Sequence, residues 1–467
     1  MDGLEGAIES LERGGLRWLT GPAVLRDYEF DGLRGYRAYK RRGRAGRIVV
    51  VYPRSTEDVV DVINIANRFK VPVVPVGGMT GLMGGAMPVV DSMIVDMKDM
   101  NRVLEVEADG RTVLCEAGIT LEALDKALEA EGLMLGHDPW TKPYATVGGS
   151  ISTNGMGYTA AAYGSFGRQV LGLEAVLPDG SILRTRGVEN AAVGPDLTKL
   201  LIGSEGVFGV ITRAKLKVYP KPEQRGLTGY RFDSFESGYK ALVTLFRSGF
   251  TPTSIEYGEV FEEPGDAARE YESELFIMVE GLCGEVEARM RVLEDVVRRF
   301  GGVKQDDAWA EDFWRHRHDV AYRYMEHVRS GSPNLWIGDR VFDFIHTSIP
   351  ASKVLQYKKV SGELLSQHGF LVVDRGIWNS LGNFSIAFMK KVGDDRDRVV
   401  VEASQVIGEL VDLSHRLGGS MEYCHGVGLK LASYMVGEWG EAGLELLRRL
   451  KRALDPNNIM NPGKLGL

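Results

Sequence analysis

Eight histidines are spread over 467 residues, and one of them, His425, stands among closely spaced glycines in Gly418-Gly419-Ser420-Met421-Glu422-Tyr423-Cys424-His425-Gly426-Val427-Gly428. An imidazole has an unperturbed pKa of about 6.5, so it can take up and release a proton near neutral pH. On residue type alone, a loop or packing histidine is the commoner role. A second candidate is Phe313-Trp314-Arg315-His316-Arg317-His318. A guanidinium there can hold a carboxylate through two hydrogen bonds. A solvated charged helix face explains the same residues equally well.

Three glycine-dense runs point to a different task. The first, Val76-Gly77-Gly78-Met79-Thr80-Gly81-Leu82-Met83-Gly84-Gly85, follows a β-rich stretch. Consecutive glycines reach positive φ and turn several backbone N–H groups into one concavity, which grips a pyrophosphate without lysines. Taken alone, this run is also an ordinary glycine-rich turn. The second run, 145–157, alternates glycine with Ser and Thr, so amide and hydroxyl donors can line a slot for a flat polar ring. Within it, Gly155-Met156-Gly157-Tyr158-Thr159-Ala160 fits the dinucleotide pattern G-x-G-x-x-A. No buried strand precedes the match and no periodic helix follows it, so it is read as a decoy. The third run spans Leu200 to Thr212 and contains Gly203-Ser204-Glu205-Gly206. Three such runs in one half of the chain argue for one large cofactor.

Regular elements must hold these runs. From about residue 47 to 222, strand and helix signals alternate. Ile48 to Tyr52 reads as a buried strand ended by Pro53. Ser55 and Asp58 resemble a capping box opening a helix with Val59, Val62, Ile63 and Ala66 on one face. Residues 71–76 are β-rich but carry Pro72 and Pro75, as an edge strand or a strand end does. Residues 91–96 and 112–116 read as further strands. Thr120 caps a helix carrying Leu121, Leu124 and Leu128 and ending at Gly132. After Pro220 and Pro222 glycine thins and aromatic and charged residues become dense. A strand at 273–279, a helix at 285–300 with Val286, Met290, Leu293 and Val297 inward, and a helix from about Asp394 to Leu417 suggest a second layer of sheet and helices. A last helix carrying Leu444, Leu447 and Leu454 stops at Asp455-Pro456.

Length and composition exclude several classes. A chain of 467 residues amounts to roughly three units of ~150 residues, which excludes a single small module and favours two domains or one elaborated pair. Asp and Glu (64) exceed Lys and Arg (56), for a net charge of -8, and the charge is spread along the chain, so a nucleic-acid partner is not expected. No apolar stretch approaches the ~18 residues of a membrane span. The acidic N-terminus lacks the order of a signal peptide. Cys115, Cys283 and Cys424 are too far apart to suggest a disulfide framework or a zinc cluster, which implies a reduced, intracellular setting. The short basic cluster at 37–44 reads as a solvated loop. Glycine numbers 58, roughly 12% against an average of ~7%, without a collagen period or the composition of disorder.

The order of the three runs, with Leu177-Pro178-Asp179-Gly180 between the second and third and Asp455-Pro456-Asn457-Asn458-Ile459-Met460-Asn461-Pro462-Gly463-Lys464 at the end, resembles the FAD-linked oxidases of the vanillyl-alcohol oxidase/PCMH type. Within them the chain is most similar to the D-lactate dehydrogenase and glycolate oxidase branch. The resemblance covers nearly the whole chain from about residue 47. It implies an α+β fold: a PCMH-type FAD-binding domain of two α+β subdomains (1–222), a substrate or cap domain with an antiparallel sheet and helices (223–415), and a C-terminal segment returning to the FAD domain (416–467). It implies that Val76, Gly77, Gly78, Met79, Thr80, Gly81 and Leu82 hold the pyrophosphate. Asp138, Thr146, Val147, Gly148, Gly149, Thr153 and Gly157 then line the flavin ring and ribityl region, with Glu205, Val210 and Ile211 on the adenine side and Asn461 in the returning segment. Relatives that bind flavin covalently through the first loop carry His where Met79 stands, so FAD is expected to be non-covalent.

The same resemblance implies oxidation of a D-2-hydroxy acid, D-lactate foremost, with hydride transfer to flavin N5 and electrons passed to a quinone, dye or protein acceptor. Its G-E-H-G-x-G segment makes His425 the base, and its W-x-x-R segment assigns Arg317 to the substrate carboxylate. Metal-dependent members carry H-x-G-D-G-N-x-H, whose two histidines join the Glu of G-E-H-G around a cation. Here that segment is Trp378-Asn379-Ser380-Leu381-Gly382-Asn383-Phe384-Ser385, and Cys424 replaces the Glu. Trp, Ser and one Cys do not make a site for a hard or borderline cation. The expectation is therefore a metal-free site in which Asn379, Glu422 or Tyr423 supplies polar contacts. Loss of the motif also brings the chain toward alkyldihydroxyacetonephosphate synthases, although the segment before His425 lacks their histidines. A non-catalytic flavin-binding subunit is the alternative outside the enzyme class. The expected setting is cytoplasmic. Peripheral contact at the inner face of a membrane and a homodimer are both compatible with it.

Overall fold

The computed structural model describes residues 3–33, 45–330, 339–393 and 395–467, with the side chains of 327–330 excepted. The basic cluster at 37–44 lies outside the described residues.

The buried run Ile48–Val51 pairs in parallel with Ser92–Asp96, which pairs in parallel with Val73–Val76, while Trp18–Thr20 closes the other side antiparallel. Val73–Val76 therefore ends the sheet, where Pro75 costs no ladder bond. The helix Thr56–Phe69 crosses between the parallel strands. Ser55 Oγ accepts from the Asp58 N–H at 3.0 Å, and Val59, Val62, Ile63 and Ala66 are buried, as its spacing requires. The helix Gly3–Arg13 shares the same core through Leu4, Ala7 and Leu11.

A second sheet is antiparallel, in the order Val103–Glu107, Thr112–Glu116, Val210–Lys217, Val170–Val176, Ile182–Arg184. Thr120 caps Leu121–Leu128 by accepting from Ala123 N–H at 3.2 Å, and the chain turns at Gly132, φ 66°. The segment Ser152-Thr153-Asn154 before the decoy motif lies at the end of the helix Val147–Thr153, and only the four-residue helix Ala160–Tyr163 follows.

From Gln224 onward the chain builds an eight-stranded antiparallel sheet. Its order is Val303–Lys304, Gln224–Phe232, Ser273–Gly281, Ser254–Glu259, Leu371–Trp378, Asn383–Lys391, Arg340–Ser348, with Gly265–Asp266 joined to Leu371–Trp378. The helices Phe235–Arg247, Cys283–Arg299, Val354–Gln367 and Arg396–Arg416 bury their apolar residues in the core they share with it. Met290 is only half-buried. The last helical segment, Met435–Leu454, which kinks at Gly440 (φ 67°), leads into a tail that returns to the first sheet. There Val73 N–H donates to Ile459 O at 2.6 Å and Asn461 N–H to Val73 O at 2.8 Å.

Candidate functional site

The three glycine runs converge on one cavity of about 310 Å³, a size usual for small-molecule sites. The first run touches the second, at Thr146, and the backbone of Tyr144 just before it. A Cβ at Gly77 would lie 2.1 Å from Thr146 Oγ1, and one at Gly78 would lie 1.9 Å from Tyr144 O. Any side chain at either position would push the runs apart. Thr146 caps the helix Val147–Thr153, its Oγ1 accepting from Gly149 N–H at 3.3 Å. A Cβ at Gly157 would meet the Asp138 carbonyl carbon at 2.5 Å, so that glycine too is a close approach.

The loop carrying His425 is fixed from three sides. Ser348 and Ser420 exchange backbone hydrogen bonds of 3.1 and 2.8 Å, and Tyr423 N–H donates to His346 O at 3.1 Å, so residues 420–424 run beside the strand Arg340–Ser348. Glu422 Oε1 accepts the N–H groups of Tyr423, Cys424 and His425 at 3.1, 2.9 and 3.0 Å. Glu205, itself at φ 50°, accepts from Val427 N–H at 2.5 Å and from Gly428 N–H at 2.8 Å. Met83 O receives the N–H groups of Leu429 and Lys430, and a Cβ at Gly428 would stand 2.0 Å from that oxygen. The glycine flanks of His425 are thus demanded by close packing against the first and third runs.

This packing sets the electrostatics. Burial pushes Glu205 up to about 7 against the pull of the Gly428 and Val427 amides and Lys464. Burial likewise raises Glu422 to about 7 and holds the Cys424 thiol well above its usual value, with Glu422 adding to the latter. His346 is pushed well below its usual value by burial and by His425 and Lys430, so it is a neutral imidazole. Its Nδ1 lies 3.2 Å from Cys424 Sγ, and its ring centroid lies 4.4 Å from that of His425. Lys430 pairs with Asp343 at 2.9 Å and sits 3.9 Å from the Phe344 ring centroid.

A second buried network backs the stretch of wall formed by His137, Pro139, Trp140 and Thr141. Asp138 pairs with Arg317 at 2.8 Å, Lys142 at 3.2 Å and His318 at 3.2 Å. Burial favours its neutral form, but the His318 hydrogen bond and the Lys142 and Arg317 charges outweigh that and hold it well below the carboxylate range. Arg317 also donates to Trp314 O at 2.6 Å and stacks over the Trp314 ring at 4.0 Å. Neighbouring His137 is forced down to about 3 by burial and stacks on Phe166 at 4.4 Å.

Val76 to Leu82, Thr146, Gly148, Gly149, Thr153, Gly157, Glu205, Val210, Ile211, Asn379 and His425 all line the cavity. Asp138, Val147, Arg317, Glu422 and Asn461 do not, and each has another task. Val147 is core, fully buried. Asn461 donates to Gly85 O at 2.9 Å and Glu205 O at 2.6 Å, tying the tail to the first and third runs. Asp138 and Arg317 satisfy one another behind the wall, and Glu422 organises the His425 loop. Asn379, at φ 58°, donates to Gly157 O at 2.8 Å and joins the large sheet to the second run. His346, Trp378, His137 and Trp140 line the cavity without having been expected there. For His346 the missing information is strand register: it sits opposite Ser385 across a pairing that no local signal announces. His346 lies outside positions 378, 385 and 424, on which the metal-free expectation rests, and adds an imidazole beside Cys424.

Residues 48–186 match the FAD binding domain family, and residues 221–465 match the family described as FAD linked oxidases, C-terminal domain. The chain belongs to the FAD-linked oxidases. This FAD-linked oxidase is 30% identical over 427 residues to D-lactate dehydrogenase of Archaeoglobus fulgidus, covering 89% of this chain and 91% of the relative. It is 27% identical over 424 residues to glycolate oxidase subunit GlcD of Bacillus subtilis, covering 89% and 88%. Its fold matches that of p-cresol methylhydroxylase with a TM-score of 0.77 at 19% identity, covering 100% of this chain and 96% of the other. The fold is thus the α+β PCMH type. The glycine cradle fits the cofactor of an FAD-linked oxidase, since 77 and 78 admit no side chain and leave their backbone to the ligand. Met79, at φ 55° in the cavity wall, offers no imidazole for covalent attachment of FAD through this loop. Among the described residues no helix is long and apolar enough to cross a membrane.

Proposed function

We propose that this FAD-linked oxidase converts a D-2-hydroxy acid, D-lactate foremost, to the 2-oxo acid. The observation that carries the reading is the meeting of His425 with the glycine cradle in one cavity. A relative at 30% identity named D-lactate dehydrogenase supports the choice of substrate. Bound FAD supplies the hydride acceptor at N5 and the route for electrons onward. His425 takes the hydroxyl proton as the Cα–H bond breaks, a role suited to an imidazole near neutral pH. Glu422 and Glu205 hold the His425 loop in register, because both anchor its backbone N–H groups. Asn379 fixes the second glycine run from the cap side. Arg317, with its Nε and one Nη committed to Asp138 and Trp314, acts by holding the wall at 137–140.

Electrons leave to a quinone, dye or protein acceptor, in a cytoplasmic setting that allows peripheral membrane contact and a homodimer. The alternative of alkyl transfer to an acyl-dihydroxyacetone phosphate needs cations for a phosphate, and among the described residues lining the cavity none is Lys or Arg. The test is anaerobic reduction of the purified holoprotein: D-lactate should bleach the flavin band near ~450 nm, and L-lactate should leave it. A flavin that no member of a panel of D-2-hydroxy acids reduces overturns the reading. That outcome leaves alkyl transfer or a non-catalytic flavin subunit in its place.

A further inference from the structure

A 2-hydroxy acid brings a carboxylate into the cavity, and a buried carboxylate needs an opposite charge. The described lining carries no Lys or Arg, and Arg317 is engaged by Asp138 and Trp314. At the His425 end of the cavity, however, four side chains bring metal-ligating atoms together. His346, Glu422, Cys424 and His425 each offer one such atom, all within 4.8 Å of one another.

We propose that His346, Glu422 and Cys424 bind a divalent cation of the zinc type, with a fourth position turned to the cavity for a substrate oxygen and His425 beside it as the base. The inference rests on the 2-hydroxy-acid reading for the occupant of that fourth position. The donor set is one imidazole nitrogen, one thiolate and one carboxylate. That mixture suits zinc, whereas magnesium and calcium call for oxygen donors throughout. Three protein ligands with one open position is the pattern of catalytic zinc sites. The spacing is also right: zinc bonds of about 2.0 Å to nitrogen and about 2.3 Å to sulfur place tetrahedral ligand atoms roughly 3.5 Å apart, and His346 Nδ1 and Cys424 Sγ are 3.2 Å apart.

The backbone holds the donors in place without the ion. The Tyr423 N–H to His346 O bond locks the two segments side by side, and three amides fix Glu422 through Oε1, leaving Oε2 for the cation. On binding, the Cys424 thiol gives its proton to solvent as the sulfur–metal bond forms, and thiolate and carboxylate together balance a charge of two. The set is not the two-histidine-plus-glutamate motif, since 378 is Trp and 385 is Ser. Its imidazole comes from the adjoining strand, directly across from Ser385.

The test uses the FAD-loaded protein. After exhaustive dialysis, zinc should be found at about one per chain by elemental analysis. Cobalt(II) added to chelator-treated protein should give a thiolate charge-transfer band. Cys424→Ser should abolish that band, and His346→Gln should weaken metal binding by roughly 10–100-fold or more, both with flavin content unchanged. If either variant loses flavin, the other carries the test. No zinc or cobalt retained by the parent protein, or equal retention by a flavin-replete variant, overturns the site. Bleaching by D-lactate in a protein that binds no metal sinks the metal site and leaves the substrate reading standing. Metal bound without bleaching by any 2-hydroxy acid does the reverse.

Discussion

Asp138→Asn probes the ion network behind the flavin wall. In the parent protein two cations, Arg317 and Lys142, and the His318 imidazole converge on a carboxylate whose side chain is 7% exposed, and the Arg317 and Lys142 side chains are 17% and 14% exposed. Removing one partner of a buried ion pair costs about 3–5 kcal/mol, because the other charge is left uncompensated. Lys142 keeps Asp125 at 2.6 Å, so its share of the loss is small. Arg317 keeps the Trp314 carbonyl and ring and its electrostatic interaction with buried Glu256, and the asparagine Oδ1 can still accept from its Nε. The expected cost is therefore at the lower end, about 3 kcal/mol, read as the shift in urea unfolding followed by tryptophan fluorescence. Arg317→Met in the Asp138→Asn background should recover part of it, giving a coupling of about 2 kcal/mol in the double-mutant cycle. The folded-state carboxyl lies well below its usual value. Its contribution is therefore present above the unfolded pKa of ~3.9 and is lost as pH falls through the folded value. Between pH 5 and 8 the difference between parent and variant should be flat. A loss below about 1 kcal/mol, or one that changes across that range, refutes the assignment of Asp138 as a charged hub.

Gly78→Ala places a Cβ 1.9 Å from a backbone carbonyl and should weaken FAD retention by more than about tenfold, or ~1.4 kcal/mol, with the far-ultraviolet circular dichroism unchanged; unaltered flavin affinity contradicts the cradle. His425→Ala should keep its flavin but slow anaerobic reduction by about 10²–10⁴-fold in stopped-flow, and a rate within threefold of the parent rules out the base. His137 is held neutral, with its pKa down to about 3. The unfolded chain therefore takes up a proton below ~6.5 that the folded chain refuses, and stability falls by about 1.4 kcal/mol per pH unit as pH drops from there toward the folded value. His137→Phe keeps the stack on Phe166 and should lose about 2 kcal/mol less than the parent between pH 7 and 5; equal losses in urea titrations would count against a neutral buried imidazole.

Much of the fold was legible because its signals are local. Ser55 and Thr120 cap the helices their spacing announced, Pro75 falls on the last strand of a sheet, and the decoy motif lacks the strand that would have made it real. The cradle was legible for a related reason. Glycine is selected where the backbone itself must come close, and such positions mark the chain directly, as Gly77, Gly78 and Gly428 show. Side-chain partners were less legible. Arg317 and Asp138 were each expected at the ligand, yet they are 179 residues apart and satisfy one another. Glu205 and Glu422 anchor the His425 loop through backbone amides, which residue type does not reveal.

By itself the sequence determined where the backbone must be bare, where helices begin, and which histidine sits among glycines, because each depends on a few neighbouring residues. Only the tertiary structure decided which groups face that histidine. His346 meets Cys424 across 78 residues through the register of Arg340–Ser348 against Asn383–Lys391 and the seating of residues 420–424 along that strand. A shift of one residue in that register would turn the imidazole to the other face of the sheet.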